Sequence, residues 1–265
     1  MQVHTPSHAG QSNAAYYKVI TDLVAVIGRP SFAGNLFSFA HDMIRADHVT
    51  AFCAPQAGGI RTVLAENTGA RPIARAVAER YVRHHWTCDP VQRALASRNI
   101  MTAAQQECVV FDIDATDVEH TSYRDECYSS VNLNHRLSIA NVRDGQTMRL
   151  NFYRRYGRDF SQDEVRRVMD IANLLVAMVW RHDEDSSAQD TANLEASFLQ
   201  RLARIEPALT VRERQVCALV ALGLTSEGIA LRLGVGLNTV LTYRKRAYAR
   251  LSISSQNELM RRLMA

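Results

Sequence analysis

The chain has 265 residues, a formal charge of +4, 47% hydrophobic and 22% charged residues, which suits one medium-sized folded domain plus a small module and excludes a disordered or fibrous chain. Cys53, Cys88, Cys108, Cys127 and Cys217 are scattered and odd in number, so a disulfide framework is not expected and reduced thiols are. No apolar run approaches the roughly twenty residues that cross a bilayer, and Met1 to Gln11 lacks the apolar core of a signal peptide, so a cytoplasmic protein with no membrane partner is expected.

In chain order, Asn13 to Ile27 sets Tyr16, Val19, Ile20, Leu23, Val24 and Ile27 at helical spacing, and Gly28-Arg29-Pro30 ends the pattern. A second helix begins after Ser31 with Phe32, Leu36, Phe37, Ala40, Met43 and Ile44 inward. Val49 to Ala54 and Ile60 to Ala65 read as strands turned at Gly58-Gly59. Arg71 to His85 is helical through Ile73, Val77, Tyr81 and His84, and Asp89-Pro90 opens a further helix through Val91 and Leu95. Val109 to Ile113 reads as a strand, and His120 to Tyr128 as a polar helix with Tyr123 and Cys127 on one side. His135 to Val142 and Thr147 to Arg154 alternate across a turn at Asp144-Gly145, with Leu137, Ile139 and Asn141 on one face and Met148, Leu150 and Phe152 returning. Ser161 and Glu164 form a capping box for the longest helix, whose stripe is Val165, Val168, Met169, Ala172, Leu175, Val176 and Val179. Arg181 to Asn193 is polar and aperiodic and reads as a linker, leading into a short amphipathic piece to Ile205. The expected class is α+β: an α/β/α domain of the GAF or PAS kind with an antiparallel sheet over 1–182, a linker over 183–204, and an all-α unit of four helices over 205–265.

That last unit carries its own punctuation. Thr210 and Glu213 form a capping box, Val211, Val216, Leu219, Val220 and Leu222 supply the apolar face, and Gly223 stops the helix. Thr225 caps the second helix of the unit, with Ile229, Ala230 and Leu233 inward and Gly234 at its end; Val235 to Leu237 form a turn and Asn238 caps the third helix. From Thr239 to Leu251, Val240, Ala247 and Leu251 face inward while Leu241, Thr242, Lys245 and Ala249 share another face. A last helix opens with Ser255 and Glu258 and packs through Leu259, Met260 and Leu263. Eleven Arg or Lys against five Asp or Glu from Leu194 onward give this end +6 and leave −2 for residues 1–193, so the cationic charge lies where a polyanion would bind.

Two helices joined by a tight turn, the second basic on its outer side, resemble the LuxR-type helix-turn-helix family on Leu209, Thr210, Arg212, Glu213, Gly223, Leu224, Thr225, Ile229, Ala230, Leu233, Gly234, Val235, Thr239 and Val240. Departures fall at Gly228, Gly236, Leu241 and Tyr243, where the family usually has Glu, Ser, a basic residue and often His. The resemblance implies a recognition helix in the major groove, with phosphate contacts from Thr225, Asn238, Thr239, Arg244 and Arg246 and with Leu241, Thr242 and Lys245 facing bases. The partners it implies are double-stranded DNA, a second copy of the chain, a small-molecule ligand and RNA polymerase.

Aromatic residues preceding Asp89-Pro90-Val91 resemble the sensor domains of LuxR-type quorum-sensing receptors. The Trp and Tyr that those receptors carry before this Asp are Ala76 and Arg80 here, and no Trp stands near Ala104, so the resemblance implies a solo regulator sensing a different small molecule, or none. Tyr81, Trp86, Tyr123 and Tyr128 with Asp89 as polar anchor form a candidate ligand pocket. Core packing explains the same aromatics, and Asp89 before a helix-opening proline is also a good N-cap. His84, His85 and Cys88 have metal-ligand spacing without a fourth donor, which scattered histidines and a half-buried thiol explain as well; no metal and no cofactor is expected. No nucleophile elbow, phosphate-binding glycine loop or zinc-protease motif is present, so no enzyme is expected. The rival reading is a scaffold or anti-regulator that binds only proteins, alongside a regulator that acts without ligand.

Overall fold

The computed structural model describes residues 1–4, 14–55 and 58–264. Its contacts group into two compact units, Met1–Asp185 and Ser186–Ala265. In chain order the first unit holds β1 (Gln2–His4), α1 (Ala14–Val24), α2 (Phe32–Ile44), β2 (His48–Pro55), β3 (Arg61–Asn67), α3 (Ile73–Arg80), α4 (Pro90–Leu95), α5 (Arg98–Gln106), β4 (Val109–Asp114), α6 (Thr121–Cys127), β5 (Leu133–Arg143) and β6 (Gln146–Arg155). Helix α7 (Gln162–Ile205) comes next, and then α8 (Val211–Ala221), α9 (Ser226–Leu233), α10 (Leu237–Leu251) and α11 (Gln256–Met264). The expected start of the first helix at Asn13 and the placing of the Tyr16 side chain lie outside the described residues.

The sheet runs β1-β4-β5-β6-β2-β3 with every neighbour antiparallel. Pairing of Leu137 with Phe152 and of Phe152 with Val49, and of Ile139 with Leu150 and Leu150 with Ala51, builds apolar rows across one face. Leu23 of α1, Phe32, Leu36 and Ile44 of α2, and Val165, Val168, Leu175 and Val179 of α7 close over that face. The other face is covered as well, by α3 and α6 at one end and by α4 and α5 at the other. The three layers are α/β/α, as expected, and both sheet faces are buried. Asp144 (φ 48) and Gly145 (φ 73) both take the left-handed conformation that a two-residue hairpin turn requires.

Four expectations need correction. Arg71 to His85 is not one α-helix: after α3 the chain changes into a π-turn (Tyr81–His85) and a 3-10 turn (Trp86–Cys88). The stretch 181–193, expected as the irregular part of a linker, is helical, because α7 runs unbroken for 44 residues. Polar positions there support the helix through side-chain pairs one turn apart, Arg181 with Asp185 and Gln189 with Asn193, where an apolar stripe is missing. Asn238 is not a cap: α10 starts at Leu237, and the extended Gly236 accepts the first helical bonds from Thr239 and Val240. At α11 only half of the expected box forms: Glu258 N–H donates to Ser255 Oγ, but the Glu258 carboxylate takes the Ser254 N–H instead.

Candidate nucleic-acid interface and buried sensor-unit cluster

The C-terminal unit is assembled from its caps. Thr210 Oγ1 accepts from Glu213 N while the Glu213 carboxylate accepts from Thr210 N at 2.8 Å, so the capping box of α8 is complete. The buried Glu213 also receives Arg250 from the far end of α10. Burial works against the Glu213 charge, yet Thr210, Arg250 and Arg246 hold its carboxyl below the ordinary range. One glutamate therefore fixes the start of α8 and seats α10 on it. Thr225 Oγ1 accepts from Gly228 N at 3.1 Å as the cap of α9, and Gly234 (φ 65) ends that helix.

Helix α10 divides cleanly. Val240, Ala247 and Leu251 are buried against the core formed with Val216, Leu219 and Ile229, while Asn238, Thr239, Leu241, Thr242, Lys245, Arg246 and Ala249 are exposed. Helical spacing puts Asn238, Leu241, Thr242, Lys245 and Ala249 on one outer strip. Thr242 Oγ1 donates to the Asn238 carbonyl at 2.8 Å, which leaves its lone pairs outward. Leu241, 45% exposed, offers a methyl-sized apolar contact inside a polar strip. Arg244 is half-buried on the flank, its guanidinium 5.1 Å over the Tyr248 ring. The basic residues of α10 are thus split between two that contact their own unit, Arg250 and Arg244, and two that are exposed, Lys245 and Arg246.

Gly228 sits in the first turn of α9, where a Cβ would meet only Thr225 Oγ1, at an ordinary 3.5 Å. Gly228→Ala is expected to raise the stability of this unit by roughly 0.5–1 kcal/mol through lost unfolded-state entropy. The midpoint of urea unfolding checks it; a lower midpoint would mean that the turn needs glycine.

In the N-terminal unit the candidate pocket residues do come together. Asp89 is fully buried and, as expected for an N-cap, accepts from Val91 N at 2.8 Å. The Tyr81 and Tyr123 hydroxyls donate to its Oδ2 at 2.9 and 3.0 Å. Tyr128 lies edge-on to Tyr123 with ring centres 5.7 Å apart, and Trp86 is half-buried against the same group. Two residues that the sequence pattern does not single out complete the cluster: Arg136 bonds both Asp89 oxygens at 2.9 and 3.0 Å, and Arg149 stands 3.5 Å from Oδ2 while donating to Tyr81. Burial alone would push the Asp89 carboxyl up, but Arg136 and Arg149 outweigh it and hold it well below the usual carboxylate range. Beside the cluster a cavity of about 10 Å³ lies between α3, α6 and the sheet, walled by His48, Thr50, Phe52, Val77, Tyr81, Tyr123, Tyr128, Leu133 and Tyr153. Asp89 is therefore occupied by protein partners and is not a free anchor.

His84 is exposed, and His85 stacks on Tyr123 with Nε2 at 3.0 Å from Glu126. Among the described residues no three His, Cys, Asp or Glu side chains meet as a metal site. No described helix is long and apolar enough to cross a membrane.

Residues 207–263 match the family model of bacterial regulatory proteins, luxR family. A putative HTH-type transcriptional regulator in the exeN 3′ region of Aeromonas salmonicida is 34% identical over 148 residues, covering 52% of this chain and 76% of that protein. Among solved structures, the VqsR LBD domain from Pseudomonas aeruginosa is similar at 12% identity and a TM-score of 0.47, over 65% of this chain and 99% of that one. Escherichia coli SdiA is similar at 14% identity and a TM-score of 0.41, over 94% and 97%. With its capped helix-turn-helix, the chain belongs to the LuxR family of DNA-binding transcriptional regulators.

Proposed function

We propose that this regulator works as a single component in the cytoplasm, without catalysis of its own. Its N-terminal unit (1–182) binds a small molecule and pairs two chains; the C-terminal units (205–265) then engage the two halves of a two-fold operator. RNA polymerase is the further partner at the promoter. Leu241, Thr242 and Lys245 face base edges, while Thr225, Asn238, Thr239, Arg244 and Arg246 take phosphates. The observation that carries this reading is the two-sidedness of α10, with Val240, Ala247 and Leu251 buried and an outer strip left exposed around Lys245.

A mobility-shift assay with DNA from upstream of its own gene tests it. Sequence-dependent retardation that weakens with salt is expected. Capture of proteins with no retardation on any DNA would favour a scaffold instead.

A further inference from the structure

The buried cluster around Asp89 has more donors, and more positive charge, than its one carboxylate can use. Asp89 Oδ1 accepts from Val91 N and Arg136, and Oδ2 from Arg136, Tyr81 and Tyr123. A carboxylate offers about four lone-pair directions, so these donors saturate it. Arg149 is left at 3.5 Å, and its other bond goes to the Tyr81 hydroxyl, a neutral group. Among the described residues the Arg136 Nε–H has no acceptor at hydrogen-bond geometry, although that side chain is 1% exposed, and the Tyr128 hydroxyl, on the cavity wall, has no partner at that geometry either. Two buried guanidinium groups thus face a single carboxylate, and the second charge lacks a counter-ion of its own among the described residues.

A buried charge without a partner is strongly unfavourable, and planar oxygen pairs fit guanidinium groups best. The adjoining cavity shares Tyr81, Tyr123 and Tyr128 with the cluster, and besides the polar His48 and Thr50 its wall has Phe52, Val77, Ala78 and Leu133, which suit an apolar body. We infer that the Arg136–Arg149–tyrosine cluster is the head-group site for a small monocarboxylic acid with an apolar body. The inference rests on reading the N-terminal unit as a sensor, and it names the ligand class. The present cavity has room for about one water, so the acid seats as α3 moves outward from α6. That movement breaks two ties to α6, Arg80 to the Glu126 carbonyl at 3.1 Å and His85 to the Glu126 carboxylate at 3.0 Å.

The test is thermal unfolding of the full chain with benzoate and hexanoate, against benzamide, hexanamide, hexanoyl-homoserine lactone and chloride at equal ionic strength. A carboxylate is expected to raise the melting temperature of the N-terminal unit by about 5–10 °C at a hundredfold excess over its Kd, with no shift from its amide. Arg149→Gln, which leaves the Asp89–Arg136 pair intact, should abolish the shift, and Arg149→Lys should keep part of it. Equal shifts from acid and amide, no shift from either acid, or an undiminished shift in Arg149→Gln would overturn the inference; the acid–amide comparison needs no variant to fold. A shift from the lactone with the acids inert would end the acid reading and leave the sensor reading standing. An acid that shifts melting while operator affinity stays constant would do the reverse.

Discussion

Asp89→Asn is expected to lower the stability of the N-terminal unit by about 3–5 kcal/mol, the usual effect of stranding a buried charge. Asparagine keeps an oxygen for the Val91 N–H, so the helix cap survives and the loss reports on Arg136 and Arg149. Urea unfolding monitored by a probe in this unit should show the midpoint fall; an unchanged midpoint would mean that the guanidinium groups find other partners. The pH dependence has a definite sign. Because the folded carboxyl lies below its ordinary value of 3.8, its contribution is complete above that value and is lost as pH falls beneath it. The parent chain should therefore lose stability in acid more steeply than Asp89→Asn.

Lys245→Ala should weaken operator binding by about 1–3 kcal/mol if the ammonium reads a guanine edge. It should instead reduce the salt slope by about 1, equally for all sequences, if it neutralises a phosphate. Lys245 is exposed, so the melting temperature should stay within about 2 °C of the parent. Titrations of operator variants across a salt series separate the two roles, and an unchanged affinity in every condition would remove Lys245 from the interface.

The helix-turn-helix unit is legible in the sequence because α8 and α9 carry their own starts and stops, whereas the start of α10 at Gly236 has no capping side chain to mark it. Thr210 with Glu213, Thr225 and Gly234 occupy the caps that their residue types mark. The capping box does not announce its third member, Arg250, which reaches Glu213 only through the fold. In the N-terminal unit the hairpin at Asp144-Gly145 is plain, yet the alternation on β5 and β6 reveals one face only. Arg136 and Arg149 point to the opposite face, and polar residues alternating with Leu137, Ile139 and Leu150 look solvent-facing until a second layer of helices covers them. Helix α5 and the strand β1 give no such signal; β1 is three residues long and gains its place by pairing with β4. The helical course of 181–193 is hidden because it lacks the apolar period by which helices are recognised.

Selection of DNA from a random duplex pool tests the assignment of α10 most directly. The parent chain should enrich a two-fold sequence, and Leu241→Ala and Lys245→Ala should each alter the preference at one or two neighbouring positions in each half while the rest persists. Identical enriched sequences from all three proteins, or none enriched by the parent, would contradict the view that the outer strip of this helix reads the duplex.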